Sequence, residues 1–239
     1  MHAIFQSTYN LSIYMSKYKL IVFDIAGTTV KDPGNVANSF IEAFRSEGFE
    51  VSEEEVNDVM GFRKIEAIES VLLERDVQLS DQLVNSIHEN FIASMIAFYK
   101  NDLSIEAIPG AEDLFRYCKS KGVYIALNTG FSRDITEVIL QRLNWKNSEL
   151  LDLVVCSDEV PQGRPAPFMI RKIMEELGVE DTSAVIKVGD TEVDVLEGRN
   201  AGCGLVVSVT TGSLNREQLT VFGPDMIIDD LTELKSIIN

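Results

Sequence analysis

Four short segments of the chain put residues of hydrolytic chemistry just after β-rich runs. Asp24 follows the run at 19–23, in FDIAGTTV. Asn128, Thr129 and Gly130 follow the run at 123–127. Arg164 stands in QGRPAP, beyond the run at 153–156, and Gly189, Asp190 and Asp194 follow the run at 184–188 in VGDTEVD. In an open α/β sheet, ligands bind beyond the carboxyl ends of the strands, so these groups are expected to meet at one edge. Carboxylates that crowd together repel unless a cation lies between them. Magnesium fits best, because it takes oxygen ligands from one or two carboxylates, water and substrate phosphate. Asp24 and Asp190 are the expected direct ligands, with Asp194 one helical turn after Asp190 to orient bound water. Arg164, Thr129 and the Gly130 N–H suit phosphoryl oxygens, and neutralising phosphate charge is most of what phosphoryl transfer needs.

Taken singly, each residue also fits a plain structural role. Asp24, Thr129 and Asp190 could be turn or cap residues, and Arg164 a surface ion-pair partner. Their order, each after its own strand, makes coincidence a poor explanation.

The elements that must position them are legible as patterns. Further β-rich runs at 205–209 and 226–228 bring the expected strands to six, several of them continuous, as in strands covered on both faces. Amphipathic helices are expected over 111–121, 132–143 and 167–177. Strand–helix alternation predicts a doubly wound, Rossmann-like parallel α/β sheet. Residues 35–103 break that rhythm with three helical stripes, built on Val36, Phe40, Ile41 and Phe44, on Ile65, Ile68, Val71 and Leu72, and on Val84, Ile87, Phe91, Met95 and Phe98. They read as an all-helical cap inserted after strand one, leaving 17–34 and 104–239 as the core and 1–16 as an N-terminal extension. Segments 32–35 and 101–109 are the expected hinges.

The net charge of −17 argues against nucleic acid or an anionic membrane as partner, and leaves any phosphate site to be built locally. Hydrophobic residues at 45% are enough for a core and argue against disorder. Cys118, Cys156 and Cys203 are too scattered for a disulfide framework and fit a reducing cytoplasm. His2 and His88 are too few for a histidine metal site, and His88 reads as a solvated or core-edge residue. No stretch is long and apolar enough to span a membrane. Residues 1–15 lack a basic n-region and a clean cleavage site, and Met15 offers a second start.

Over residues 17–239 the ordered motifs resemble the haloacid dehalogenase superfamily. The resemblance implies that Asp24 is a nucleophile forming a phosphoaspartyl intermediate, and that the carbonyl of Ala26 completes a magnesium site with Asp24, Asp190 and Asp194. Phosphatases of that superfamily usually carry a second Asp two residues after the nucleophile, to protonate the leaving alkoxide. This chain has Ala26 there. DIAGTTV, LNTGFSRDI, GRPAPFM and VGDTEVDVLEGRNAG are instead similar to the phosphonatase-like hydrolases, the group of phosphonoacetaldehyde hydrolase.

That resemblance brings Lys64, in MGFRKIEAI, forward as a cap lysine that forms a Schiff base with a substrate aldehyde, making carbon a viable leaving group. The catalytic set it implies is Asp24, Lys64, Thr129 and Arg164, with Asn128, Thr129, Gly130, Arg164 and Gly61 around the substrate phosphate. A Schiff-base lysine must be partly neutral near pH 7, through burial or nearby positive charge. Lys64 equally fits a solvated helix opener or a simple phosphate clamp. The chain departs from the phosphonatase pattern at Ile25, where an aromatic is usual, and at Glu66 and Ala67, where Asp-His is usual. The missing histidine bears on proton handling around the imine. A small phosphonate or phosphate metabolite is the expected partner, and cap-to-cap pairing into a homodimer is implied by the resemblance alone. A phosphatase of a small phosphomonoester, with Glu66 or the substrate as acid, is the alternative, followed by a non-catalytic phosphate-binding protein. Residues 60–68 are expected to face Asp24 when the cap is closed.

Overall fold

The computed structural model describes residues 16–238, so the extension expected over 1–16 and the start at Met15 lie outside the described residues, apart from Ser16. Six strands, β1 (Leu20–Phe23), β2 (Tyr124–Thr129), β3 (Leu153–Cys156), β4 (Val185–Gly189), β5 (Leu205–Val209) and β6 (Met226–Ile228), form one sheet. All pairings are parallel, in the order β3-β2-β1-β4-β5-β6. Strand order reverses between β1 and β4, which puts the ligand crevice of such a sheet at their carboxyl ends.

Side-chain alternation in β1 explains why the strand is apolar throughout. Ile21 and Phe23 join the cluster on one face, while Leu20 and Val22 join the cluster on the other. The first face is covered by α5 (Ala111–Ser120), through Leu114, Phe115 and Cys118, and by α6 (Arg133–Arg142), through Ile135 and Ile139. The second is covered by α7 (Phe168–Leu177), through Met169, Ile170 and Ile173.

Between β1 and α5 lie four helices: α1 (Asn35–Arg45), α2 (Glu53–Asp58), α3 (Lys64–Glu74) and α4 (Asp81–Asn101). Beyond β4 come α8 (Glu192–Ala201), α9 (Arg216–Val221) and α10 (Lys235–Ile238). The long stripe of α4 runs through Val84, Ile87, Phe91 and Met95 and ends at buried Tyr99, while Phe98 is half-buried. Tyr99 is the residue one turn after Met95, so it continues the same face. α2 escaped the sequence reading because it is only one and a half turns long, yet Ser52 and Glu55 form a capping box at its start.

The insert does not bury its apolar face separately from the sheet. Phe40 and Phe91 pack at 5.8 Å between ring centroids, and Phe91 and Tyr99 each lie 6.4 Å from Phe131 in the loop after β2. These residues belong to the same apolar cluster as Ile21 and Phe23. Since each buried aromatic contributes about 1.5–3 kcal/mol, this seam holds the insert against the sheet. Among the described residues no helix is long and apolar enough to cross a membrane.

Candidate active site

The loop after β1 turns sharply enough to fold back over its own strand end. The Gly27 N–H donates to the carbonyl of Val30 at 2.8 Å, the Thr29 hydroxyl donates to the Asp24 carbonyl at 2.9 Å, and Gly27 sits at φ 84°, where a side chain is strained. A Cβ on Gly27 would lie 2.5 Å from Asp190 Oδ2, and one on Gly212 would lie 1.9 Å away. Two loops therefore close on the Asp190 carboxylate by presenting bare backbone. Thr28 Oγ1 donates to Asp190 Oδ1 at 2.9 Å.

Asp24 and Asp190 end adjacent strands and are both buried. Burial raises the Asp24 pKa to about 6, against the lowering effect of Arg164. Burial also raises the pKa of Asp190, and the charges of Asp24 and Asp194 push it further. Burial and mutual repulsion thus make it costly to ionise both carboxyls together.

Asp194 differs. Burial would raise its pKa, but Arg164 and Lys187 outweigh that and hold it at about 2. Arg164 Nη1 bridges Asp24 Oδ1, at 2.7 Å, and Asp194 Oδ1. Lys187 Nζ lies 3.0 Å from Asp194 Oδ1, and Thr191 Oγ1 donates to Asp194 Oδ2 at 2.7 Å. Arg164 Nε is buried with no hydrogen-bond partner among the described residues.

A cavity of about 430 Å³ opens on this cluster. Asp24, Ala26, Thr129, Gly130, Arg164 and Asp190 line it from the sheet side, and Met60, Gly61 and Lys64 from the insert. The Phe131 N–H donates to Thr129 Oγ1 at 3.2 Å, fixing that hydroxyl and leaving its proton to donate. Gly61, at φ 83°, fits because a Cβ there would meet Val193 Cγ2 at 2.5 Å and Thr191 Oγ1 at 2.8 Å.

Lys64 opens α3 and is buried. Its Nζ lies 5.8, 5.9 and 6.0 Å from the ring centroids of Phe40, Phe91 and Phe131. Rings at that range attract a cation but accept no strong hydrogen bond. Burial, then the Arg164 charge, lowers the Lys64 pKa to about 8, with Asp24 and Asp32 opposing. A solvated lysine at a helix start is excluded by this burial.

Two expectations are corrected. Asn128 does not bind phosphate through its side chain: its Oδ1 accepts from Lys187 at 2.6 Å and its Nδ2 donates to Glu197 at 2.8 Å, in a fully buried network behind the cavity. Glu66, the expected alternative acid, does not line the cavity; its Oε1 accepts the Gly163 N–H at 3.2 Å. It ties α3 to the residue before Arg164 instead. The sequence reading also passed over Asp32, which lines the cavity, and the ion cluster of Lys187 and Glu197. A lysine inside the doubly covered strand β4 was the available signal for the latter.

A family model described as haloacid dehalogenase-like hydrolase matches residues 21–208. The chain belongs to the haloacid dehalogenase-like hydrolases. Phosphonoacetaldehyde hydrolase of Syntrophobacter fumaroxidans is 34% identical over 212 residues, which cover 84% of this chain and 75% of that protein. Among solved structures, a hydrolase from Pseudomonas syringae aligns with a TM-score of 0.81 at 18% identity, over 93% of this chain and 96% of that one. A phosphonoacetaldehyde hydrolase-like protein from Oleispira antarctica aligns with a TM-score of 0.79 at 23% identity, over 94% of this chain and 92% of that one. The structural likenesses bear on the fold, and the sequence likeness makes this haloacid dehalogenase-like hydrolase phosphonatase-like. Its cavity brings together the buried carboxylates of Asp24 and Asp190, the Arg164 guanidinium and the buried Lys64 amine.

Proposed function

We propose that this hydrolase cleaves the carbon–phosphorus bond of a small phosphonate aldehyde, phosphonoacetaldehyde or a close analogue, with Asp24 as nucleophile and Lys64 as the imine-forming amine. The observation that carries the reading is Lys64 Nζ, buried among three rings and lining the same cavity as Asp24. The helical insert serves as the cap that brings it there and excludes water.

The donor set fits magnesium. Asp24 and Asp190 stand at the ends of neighbouring strands and line one cavity with Ala26, an all-oxygen donor set of the kind magnesium takes. Asp24, Asp190 and the Ala26 carbonyl would hold the ion, with Asp194 orienting its waters; bound, it would supply charge neutralisation for the phosphonate oxygens. Arg164, Thr129, the Gly130 N–H and Gly61 hold and orient those oxygens.

Lys64 adds to the aldehyde as the neutral amine, and the proton its ammonium gave up returns as water leaves, so ammonium and aldehyde become iminium and water. An Asp24 oxygen attacks phosphorus. The carbon–phosphorus bonding pair moves into the iminium, leaving an enamine on Lys64 and an acyl phosphate on Asp24. Water cleaves the acyl phosphate to phosphate, and protonation and hydrolysis of the enamine release acetaldehyde. The leaving group is carbon drawn into an imine, so an acid at position 26 is not needed, which agrees with Ala26.

Borohydride reduction during turnover of phosphonoacetaldehyde with magnesium is expected to add the substrate's two-carbon fragment to Lys64, detected by peptide mass. Lys64→Ala is expected to lose C–P cleavage by about 10³-fold or more. Full C–P cleavage by Lys64→Arg, or rapid turnover of a phosphomonoester panel with none of the phosphonate, overturns the reading.

A further inference from the structure

Besides Glu53, which stands exposed at the start of α2, the cavity holds one carboxylate that the mechanism above leaves unused. Asp32 lies in the loop between β1 and α1 and lines the cavity together with Lys64 and Asp24. Its Oδ1 accepts the N–H groups of Asn35, at 2.8 Å, and Val36, at 3.4 Å, so the carboxylate is anchored at the start of α1. The Gly34 N–H also donates to this carboxylate. Asp32 and Lys64 influence each other electrostatically: the Lys64 charge lowers the pKa of Asp32, and Asp32 raises that of Lys64. Burial nonetheless leaves Asp32 above the usual carboxylate range, suited to carrying a proton transiently.

The surroundings of Lys64 offer few other carriers. Phe40, Phe91 and Phe131 have no exchangeable side-chain proton. Asp24 is the nucleophile and is bound to Arg164. Arg164 stays cationic and has no acceptor. From α4, Tyr99 is deeply buried and its pKa is raised, first by burial and then by Asp32 and Asp24. His88, also on α4, has its pKa lowered by burial and by Arg63, and does not line the cavity. At position 67, where the phosphonatase pattern has histidine, this chain has Ala67, which is buried.

We propose that Asp32 is the proton carrier for imine formation at Lys64. The inference rests on the Schiff-base reading of Lys64. Asp32 and Lys64 share the cavity without a direct ion pair, so the carboxylate takes one proton from the Lys64 ammonium through one intervening water. The freed lone pair adds to the carbonyl carbon, the C=O π pair moves to oxygen, and a second nitrogen proton passes to that oxygen. Asp32 then returns its proton to the hydroxyl, which departs as water while the nitrogen lone pair closes the C=N bond. The iminium forms with Asp32 again ionised, so aldehyde and ammonium have become iminium and water with no other reactant.

Asp32→Asn tests this. The amide oxygen keeps the acceptor for the Asn35 and Val36 N–H groups, so the fold is expected to survive, checked by circular dichroism and thermal midpoint. With phosphonoacetaldehyde and magnesium, rapid-quench borohydride trapping at Lys64 is expected to be about 10²-fold slower in Asp32→Asn. The pH midpoint for trapping is expected to move below the wild-type value, because a charge that favours the ammonium is gone. Asp32→Glu is expected to recover at least part of the rate. Trapping by Asp32→Asn at the wild-type rate and midpoint overturns the role of Asp32 while leaving Lys64 intact. Absence of any Lys64 adduct in wild type, with C–P cleavage proceeding, overturns the Schiff-base reading itself.

Discussion

Lys64 shows how one residue type changes function with its surroundings. With its pKa lowered to about 8, roughly one Lys64 in ten is neutral at pH 7. C–P cleavage is therefore expected to rise with pH toward about 8 and then level, followed as the rate of Lys64 trapping across a pH series. The same burial weakens the fold. Between about 8 and the ordinary 10.5, the unfolded chain holds a proton that the folded chain lacks, so Lys64's contribution makes stability rise with pH across that window. Replacing a buried charge by an apolar group of similar size is often neutral or stabilising. Lys64→Met is accordingly expected to abolish C–P cleavage, to raise the thermal midpoint by about 2 °C or more, and to remove this part of the alkaline rise, read by calorimetry.

At the scale of elements, the first turn of α3 couples the insert to the phosphate corner. It carries Lys64 into the cavity and Glu66 to the Gly163 N–H, next to Arg164. Glu66→Ala removes a hydrogen bond to a charged group, worth about 1.5 kcal/mol. Steady-state kinetics are expected to show KM about tenfold higher with little change in thermal midpoint. Gly61 sets the register of the same turn. Gly61→Ala places a Cβ 2.5 Å from Val193 Cγ2 at a positive φ, so the segment must shift. A displacement of about 1 Å costs on the order of 10²-fold in rate, the loss in kcat/KM expected for this variant.

Across the whole molecule, charge is handled in two ways. The chain's net charge of −17 opposes an anionic substrate at a distance, while three cations, Lys64, Arg164 and Lys187, are buried. Raising ionic strength from low values to ~0.15 M is expected to improve kcat/KM on the order of twofold, because surface repulsion is screened more than buried pairs. Inside, Lys187 ties β4 to Asp194 at 3.0 Å, to Glu197 at 3.2 Å and to Asn128 at 2.6 Å. Lys187→Met would leave Asp194 and Glu197 without that cation. It is expected to cost about 3–5 kcal/mol in urea unfolding, far more than a surface pair.

Chain order and periodicity were enough to reveal the doubly wound sheet, its six strands and the positions of Asp24, Thr129, Arg164 and Asp190, since each of those residues follows a strand whose apolar pattern is local. They also singled out Lys64, by resemblance to the phosphonatase-like motif. Three things depended on contacts between residues distant in the chain. Asn128 turned inward to Lys187 and Glu197 because a buried lysine needs acceptors, and no spacing rule links β2, β4 and α8. Glu66 became a tie to Gly163 through the docking of α3. Lys64 became a buried amine in the cavity that Asp32 also lines only once α1, α4 and the loop after β2 brought Phe40, Phe91 and Phe131 around it. Sequence determines which groups are present and where along the chain they stand. Burial, and hence the protonation that decides what each group does, is a property of the packed structure.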